Sequence, residues 1–318
     1  MRHWMIVLVL LCLTGCGKGL PQPREMSDLA LMRTMAVDAG EEDGIKVTVS
    51  SGEEEPLLLS AKRGTVAAAC QGVRIHGEHP VFLGHVEKLL LGEGLSDVGG
   101  VLPTLNYVCR DEELGLETEV WFVRGEAAEE ISFPGAVGVK RTAGDVLTDL
   151  MENGCSFLPV VGGGYAILDG ERIRGWTMGD AALGLELLQE HPASDLMELR
   201  GGAVKLDSVA LTCVPVVEEK KVTGLELDLR LMVHLEERIQ GSPDLSEMEH
   251  EAAAQAEQWI AAAVKQAQTE NLDYLGLCRR AGVSGPEHWK LLCAQAPEKF
   301  ADWRIGINCT VTMTDQRR

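Results

Sequence analysis

The sequence is short of positive charge. Its 318 residues hold 29 lysines and arginines against 49 aspartates and glutamates, a formal net charge of −20. So acidic a surface repels phosphate backbones and anionic headgroups before contact, which argues against nucleic acid as a partner. Long apolar runs are scarce as well: beyond the first residues none attains the ~20 residues of a membrane-spanning helix, and the body of the chain reads as water-soluble. Several chemical signatures are missing too. There is no C-x-x-C pair, no H-E-x-x-H helix, no G-x-S-x-G elbow around Ser96, Ser156 or Ser194, and no Gly-Lys-Ser/Thr after the triple glycine at 162–164. Thiol, zinc-peptidase, serine-hydrolase and phosphate-loop chemistry thereby lose their sequence support. The glycines read as a strand approach, and the acidic run Asp111-Glu112-Glu113 as a solvated turn. No catalytic residue, metal site or cofactor is expected, and the chain reads as a non-enzyme.

Histidines and cysteines fit that picture. His76, His79 and His85 form an H-x2-H-x5-H cluster, but Pro80 follows the second and no fourth ligand is nearby, so surface or hydrogen-bonded roles are expected. Past Cys12 and Cys16, cysteines stand at 70, 109, 155, 213, 278, 293 and 309, mainly as small apolar core residues. Their spacing selects no disulfide pairing, and an odd set cannot all pair internally.

What the chain does have begins at its first residues. Arg2 and His3 precede an apolar run from Met5 to Leu13, and Leu13-Thr14-Gly15-Cys16 follows. This is a secretory leader ending in a lipobox: cleavage before Cys16 and acylation of that cysteine are expected, so residues 1–15 are a lipoprotein signal peptide. Acyl chains, palmitate among them, bury ~0.8 kcal/mol per methylene and give a firm anchor when two or three act together. Residues 16–27, rich in glycine, proline and charge, read as a tether.

Three pattern regions follow, at 28–152, 153–195 and 196–318. In the first, Leu29–Val37 and Ile45–Val49 read as strands around an acidic turn, Val101–Val108 as a helix and Glu119–Val123 as a strand. In the second, Asp169-Gly170 between apolar runs signals a hairpin, and Asp180–Glu190 a short helix. In the third, leucine and valine alternate from Leu225 to Leu235. Ser246 and Glu249 have capping-box spacing ahead of a helix to about Glu270, with Met248, Ala252, Trp259, Ala263 and Ala267 on its buried face. Alternation over Ile305–Met313 closes the chain with a strand. The expected fold class is α+β: three mixed domains with largely antiparallel sheets and packed helices.

The order of several segments resembles the C subunit of spore germinant receptors, the GerAC-like Ger(x)C lipoprotein family. Behind the lipobox, REMSDLA at 24–30 is similar to the family's start, and the strand after it ends in Asp38. FLGHVEKLLLGEGL (82–95) resembles its F-G-H-x-K segment, and RDEELGLETEVWFVRGEAAEEI (110–131) its R-D-P-E-I-R segment and following strand. GYAILDGERIRGW (164–176) looks like its hairpin and G-W pair. LDYLGLCRR (272–280) with HWK (288–290) resembles its closing motifs. The resemblance implies a non-enzymatic, lipid-anchored subunit working with two integral-membrane partners, the A and B subunits. It implies the extracytoplasmic face of the spore inner membrane as the location and nutrient-triggered germination as the process. The alternative is a lipid-anchored solute-binding lipoprotein of the cell envelope, which requires an interdomain cleft with convergent polar groups.

Overall fold

The computed structural model describes residues 29–314 apart from 42–43, 53, 77–78, 137, 193–195, 240 and 242, and Cys16 lies outside the described residues. Short apolar runs broken by charge form β1 (Ala30–Leu31), β2 (Thr34–Ala39), β3 (Ile45–Ser50) and β4 (Leu58–Arg63). Helix α1 (Val66–His76) buries Ala69, Cys70 and Val73, one stripe at helical spacing. After β5 (Val81–Phe82), β6 (Lys88–Gly92) and the single turn α2 (Gly94–Asp97) comes α3 (Val101–Arg110). Pro103 is tolerated there because it sits in the first turn, where no intrahelical acceptor exists for its missing N–H. Strand β7 (Glu119–Val123) completes a five-stranded mixed sheet of order β4-β3-β2-β6-β7, antiparallel on one side of β2 and parallel on the other. Its central strands are apolar on both faces because both are covered. Met35, Val37, Leu89 and Phe122 face the helices, while Ala36, Leu90 and Trp121 face a strap that includes Ala127, Ile131 and Phe133.

Helix α4 (Ala143–Asn153) opens with a capping box between Thr142 and Asp145 and ends at Gly154 in the left-handed region. Strands β8 (Cys155–Pro159), β9 (Tyr165–Asp169) and β10 (Arg172–Thr177) form an antiparallel sheet with β9 central, and Asp169-Gly170 makes the expected hairpin. The triple glycine makes the β8–β9 turn, with φ of 92°, 111° and 79°, values that residues with a Cβ rarely adopt, and Gly164 lies where a Cβ would be 2.6 Å from the Thr177 carbonyl oxygen of the neighbouring strand. Alternation along β8 and β9 splits this sheet between two cores. Leu158, Ala166 and Leu168 pack with the first region; Phe157, Tyr165 and Ile167 pack with the last.

The last region adds α5 (Asp180–Leu188), β11 (Leu196–Leu199), β12 (Gly202–Glu218) and β13 (Lys221–Arg238). Helix α6 (Leu245–Glu270), α7 (Leu277–Ser284), α8 (Trp289–Lys299) and β14 (Arg304–Thr314) follow. The sheet order is β11-β12-β13-β14; the expected alternation on β13 is present, and β14 runs parallel to it. Strand β12 is not among the strands that alternation predicts, because register shifts after Leu206 and Val216 break its pattern. The cap of α6 lies ahead of the Ser246 that the capping-box spacing implies. It is Asp244, whose carboxylate accepts the Glu247 N–H at 2.8 Å. The buried stripe of α6 is Met248, Ala252, Ala256, Ile260, Ala263 and Ala267, with Trp259 at the margin, only partly buried.

Helix α6 also closes the sheet's edge. Glu249 and Glu257 accept the backbone N–H groups of Met313 and Cys309 at 2.7 and 3.0 Å. Eight helical residues advance about 12 Å and four strand residues about 13 Å, so the two spacings match. Two donors that an added strand would need are thereby occupied.

Candidate functional site

A crevice of about 340 Å³ lies between α4 and α7, where the two large cores meet over β8 and β12. Asp273 fixes one wall. Its two carboxylate oxygens accept the N–H groups of Leu277 and Cys278 at 2.9 and 2.7 Å, holding the first turn of α7 against Gly276 in the left-handed region. Burial pushes the Asp273 carboxyl above its usual range, against the opposing pull of the Cys278 thiol and the turn's N–H groups. The next residues on α7, Arg279 and Arg280, reach the crevice. Arg280 pairs with Glu190 at 2.6 Å, and Arg279 lies 3.7 Å from Asp149.

The facing wall comes from α4. Arg141, just before the Thr142 cap, donates to Asp149 and to Ser156 Oγ at 3.2 Å, and its guanidinium lies 4.6 Å from the Phe157 ring centroid. Asp149 thus bridges Arg141 and Arg279, one from each side of the crevice. Phe157, Leu211, Leu275 and Val283 supply apolar lining. The arrangement holds charged donors over an apolar floor. Ser156 is fully buried, its hydroxyl donated to Asp149 at 3.3 Å.

The other resemblance-bearing segments hold the chain together. Asp38 accepts the N–H groups of Ala127 and Ala128 at 2.6 and 3.0 Å, stapling the strap to the first sheet. The run Asp111-Glu112-Glu113 is more than a solvated turn. Tyr107 donates to Asp111 at 2.7 Å, Arg74 reaches Asp111 and Glu113 at 3.4 and 3.1 Å, and the Leu83 N–H donates to Glu113 at 3.1 Å. Burial pushes the Asp111 carboxyl up, but Tyr107, the Glu113 and Leu114 N–H groups and Arg74 outweigh it and leave it below its ordinary value.

Of the histidine cluster, His79 is exposed, His85 is half-exposed 3.8 Å from Glu87, and the side chain of His76 lies outside the description. Ser96 is buried in α2 and donates to the Glu93 carbonyl; Ser194 lies outside the described residues. Among the described residues no group of three or more His, Cys, Asp or Glu side chains is placed to hold a metal, and no helix is long and apolar enough to cross a membrane. Sequence reasoning misses Arg141 and Asp149. The Thr142-x-x-Asp145 capping box is the available signal for the helix that carries Asp149.

Mixed and antiparallel sheets joined by shared core layers, with a charged crevice at their junction, make this a multi-sheet α+β protein. Residues 22–154 match the spore germination protein N-terminal domain, and residues 163–316 match the spore germination B3/GerAC-like C-terminal domain. The chain belongs to the GerAC-like family of spore germination proteins, the C-subunit family of germinant receptors. It is 27% identical over 136 residues to spore germination protein B3 of Bacillus subtilis (strain 168), which is 39% of this chain and 35% of that relative, so the match spans about a third of the relative's length. The crystal structure of the GerBC protein shares the fold, with a TM-score of 0.63 at 17% identity over 88% of this chain and 97% of that one.

Proposed function

We propose that this chain is the lipid-anchored C subunit of a spore germinant receptor and acts, without enzymatic activity, alongside A and B membrane subunits in nutrient-triggered germination. The observation that carries the reading is the succession of the two family domains over residues 22–316, behind the lipobox that ends in Cys16. Acyl chains on Cys16 hold the protein at the extracytoplasmic face of the spore inner membrane. Anchoring has a physical purpose in such an assembly, since confinement to the bilayer raises the effective concentration toward membrane partners without any new contact. It also opposes the repulsion between a chain of formal charge −20 and anionic headgroups. The organisation we propose has segments 28–152, 153–195 and 196–318, the middle one lending a face of its sheet to each neighbour's core. The test is affinity purification of the tagged, full-length protein from cross-linked spore membranes. Recovery of two multi-span subunits in constant ratio supports the reading, and recovery of the chain alone under conditions that preserve other membrane complexes contradicts it.

A further inference from the structure

We propose that the crevice between α4 and α7 is a binding site for a small carboxylate with an apolar body, a role independent of how the chain is anchored. Charge favours it first. Three guanidiniums, Arg141, Arg279 and Arg280, line a cavity whose lining includes one acid, Asp149; with Glu190, which pairs with Arg280 at 2.6 Å, counted too, one guanidinium is left in surplus in a chain with many more acids than bases. Within a Debye length of about 8–10 Å, the groups lining a cavity outweigh a distant, screened surface, so the crevice attracts anions although the chain as a whole repels them.

Donor supply favours it next. Each guanidinium carries five N–H groups, and those in the crevice are not all used. The Nε–H of Arg141 is buried with no acceptor, and Arg279 is 56% exposed with its Asp149 contact at 3.7 Å, long for a hydrogen bond. A carboxylate fits the planar fork of Arg279 in bidentate fashion, which Asp149, already engaged by Arg141, does not achieve.

Shape then narrows the ligand. A volume of about 340 Å³ is at the lower end for small-molecule sites, and Phe157, Leu211, Leu275 and Val283 give it an apolar lining beside the arginines. An ion such as phosphate has nothing to bury there; a carboxylate with a ring or short alkyl body satisfies both halves. Because the walls come from α4, β8, β12 and α7, such a ligand bridges the two cores in place of the long Asp149–Arg279 contact.

The test uses the full-length lipidated protein in mild detergent, with 4-fluorobenzoate as probe, its neutral amide as control and inorganic phosphate as competitor, read by fluorine line broadening. At about 5 mM probe, suited to the weak affinity of so small a molecule, the benzoate should broaden and the amide should not. Arg279→Gln, at a half-exposed position that leaves folding intact, should weaken binding by about tenfold or more. Val283→Glu, at a 79% exposed rim position, should abolish it by placing a negative charge at the mouth. Equal broadening of benzoate and amide, no loss in Arg279→Gln, or complete displacement by equimolar phosphate would each overturn the proposal, the last by showing an anion site without an apolar component.

Discussion

Gly184 of α5 and Trp259 of α6 touch backbone to backbone: a methyl group on Gly184 would lie 2.0 Å from the Trp259 carbonyl oxygen. In an exposed helix, Gly→Ala is stabilising by about 1 kcal/mol. Here the sign reverses, because the obstacle is backbone and the two helices have to part. Gly184→Ala should lower stability by about 2 kcal/mol or more in urea unfolding. A stabilised variant would show that the helices are not in contact at this point.

Ile260 and Trp259 are neighbours with different exposure. Ile260 is fully buried, and Trp259 sits at the margin of the same core. Ile260→Ala should therefore lose ~2–5 kcal/mol. Trp259→Ala, which opens no closed cavity, should lose only about 1–2 kcal/mol. The reverse ranking in chemical unfolding would mean that Trp259 is the core residue its place in the helical pattern implies.

Asp38 is 3% exposed and serves two backbone donors. Asp38→Ala orphans both and should reduce stability by about 2–4 kcal/mol, while Asp38→Asn, which keeps one acceptor, should lose roughly half as much. Unfolding within about 0.5 kcal/mol of the parent for the alanine variant would mean that Asp38 does not staple the strap.

Thiol reactivity gives a pH-dependent prediction. Burial pushes the thiol of Cys70 up to about 11 and those of Cys155, Cys213 and Cys309 up to about 12, from an ordinary 9.0. The unfolded chain releases these protons from pH 9.0 upward while the folded chain keeps them. The folded state then binds more protons, and its extra stability is complete below 9.0 and lost as pH rises toward 11–12. Melting temperature should fall across that window, and the fall should shrink in Cys155→Ala/Cys213→Ala. In the native protein at pH 8, the exposed Cys293 should react with a disulfide reagent well before the other six described cysteines. Fast reaction of several thiols would contradict the burial assigned to them.

Legibility in the sequence tracks the simplicity of the period. Strands β7 and β13 are readable because Glu119–Val123 and Leu225–Leu235 keep one pattern without interruption. Strand β12 is not, since its bulges switch the faces. At the start of α6, Ser246-x-x-Glu249 matches the capping rule as well as Asp244-x-x-Glu247 does, and only the geometry separates them. The family-like segments locate one wall of the crevice, at Arg279 and Arg280. They cannot locate its partner, because Asp149 lies 130 residues from Arg279 and nothing local marks the pair.

A C subunit acting at the membrane through Cys16 is tested most directly by spores carrying Cys16→Ala. The expected outcome is a folded protein released from the membrane fraction, a weakened response to nutrient, and an unchanged response to an agent that bypasses the receptors. A normal nutrient response with the protein fully soluble would contradict action at the membrane.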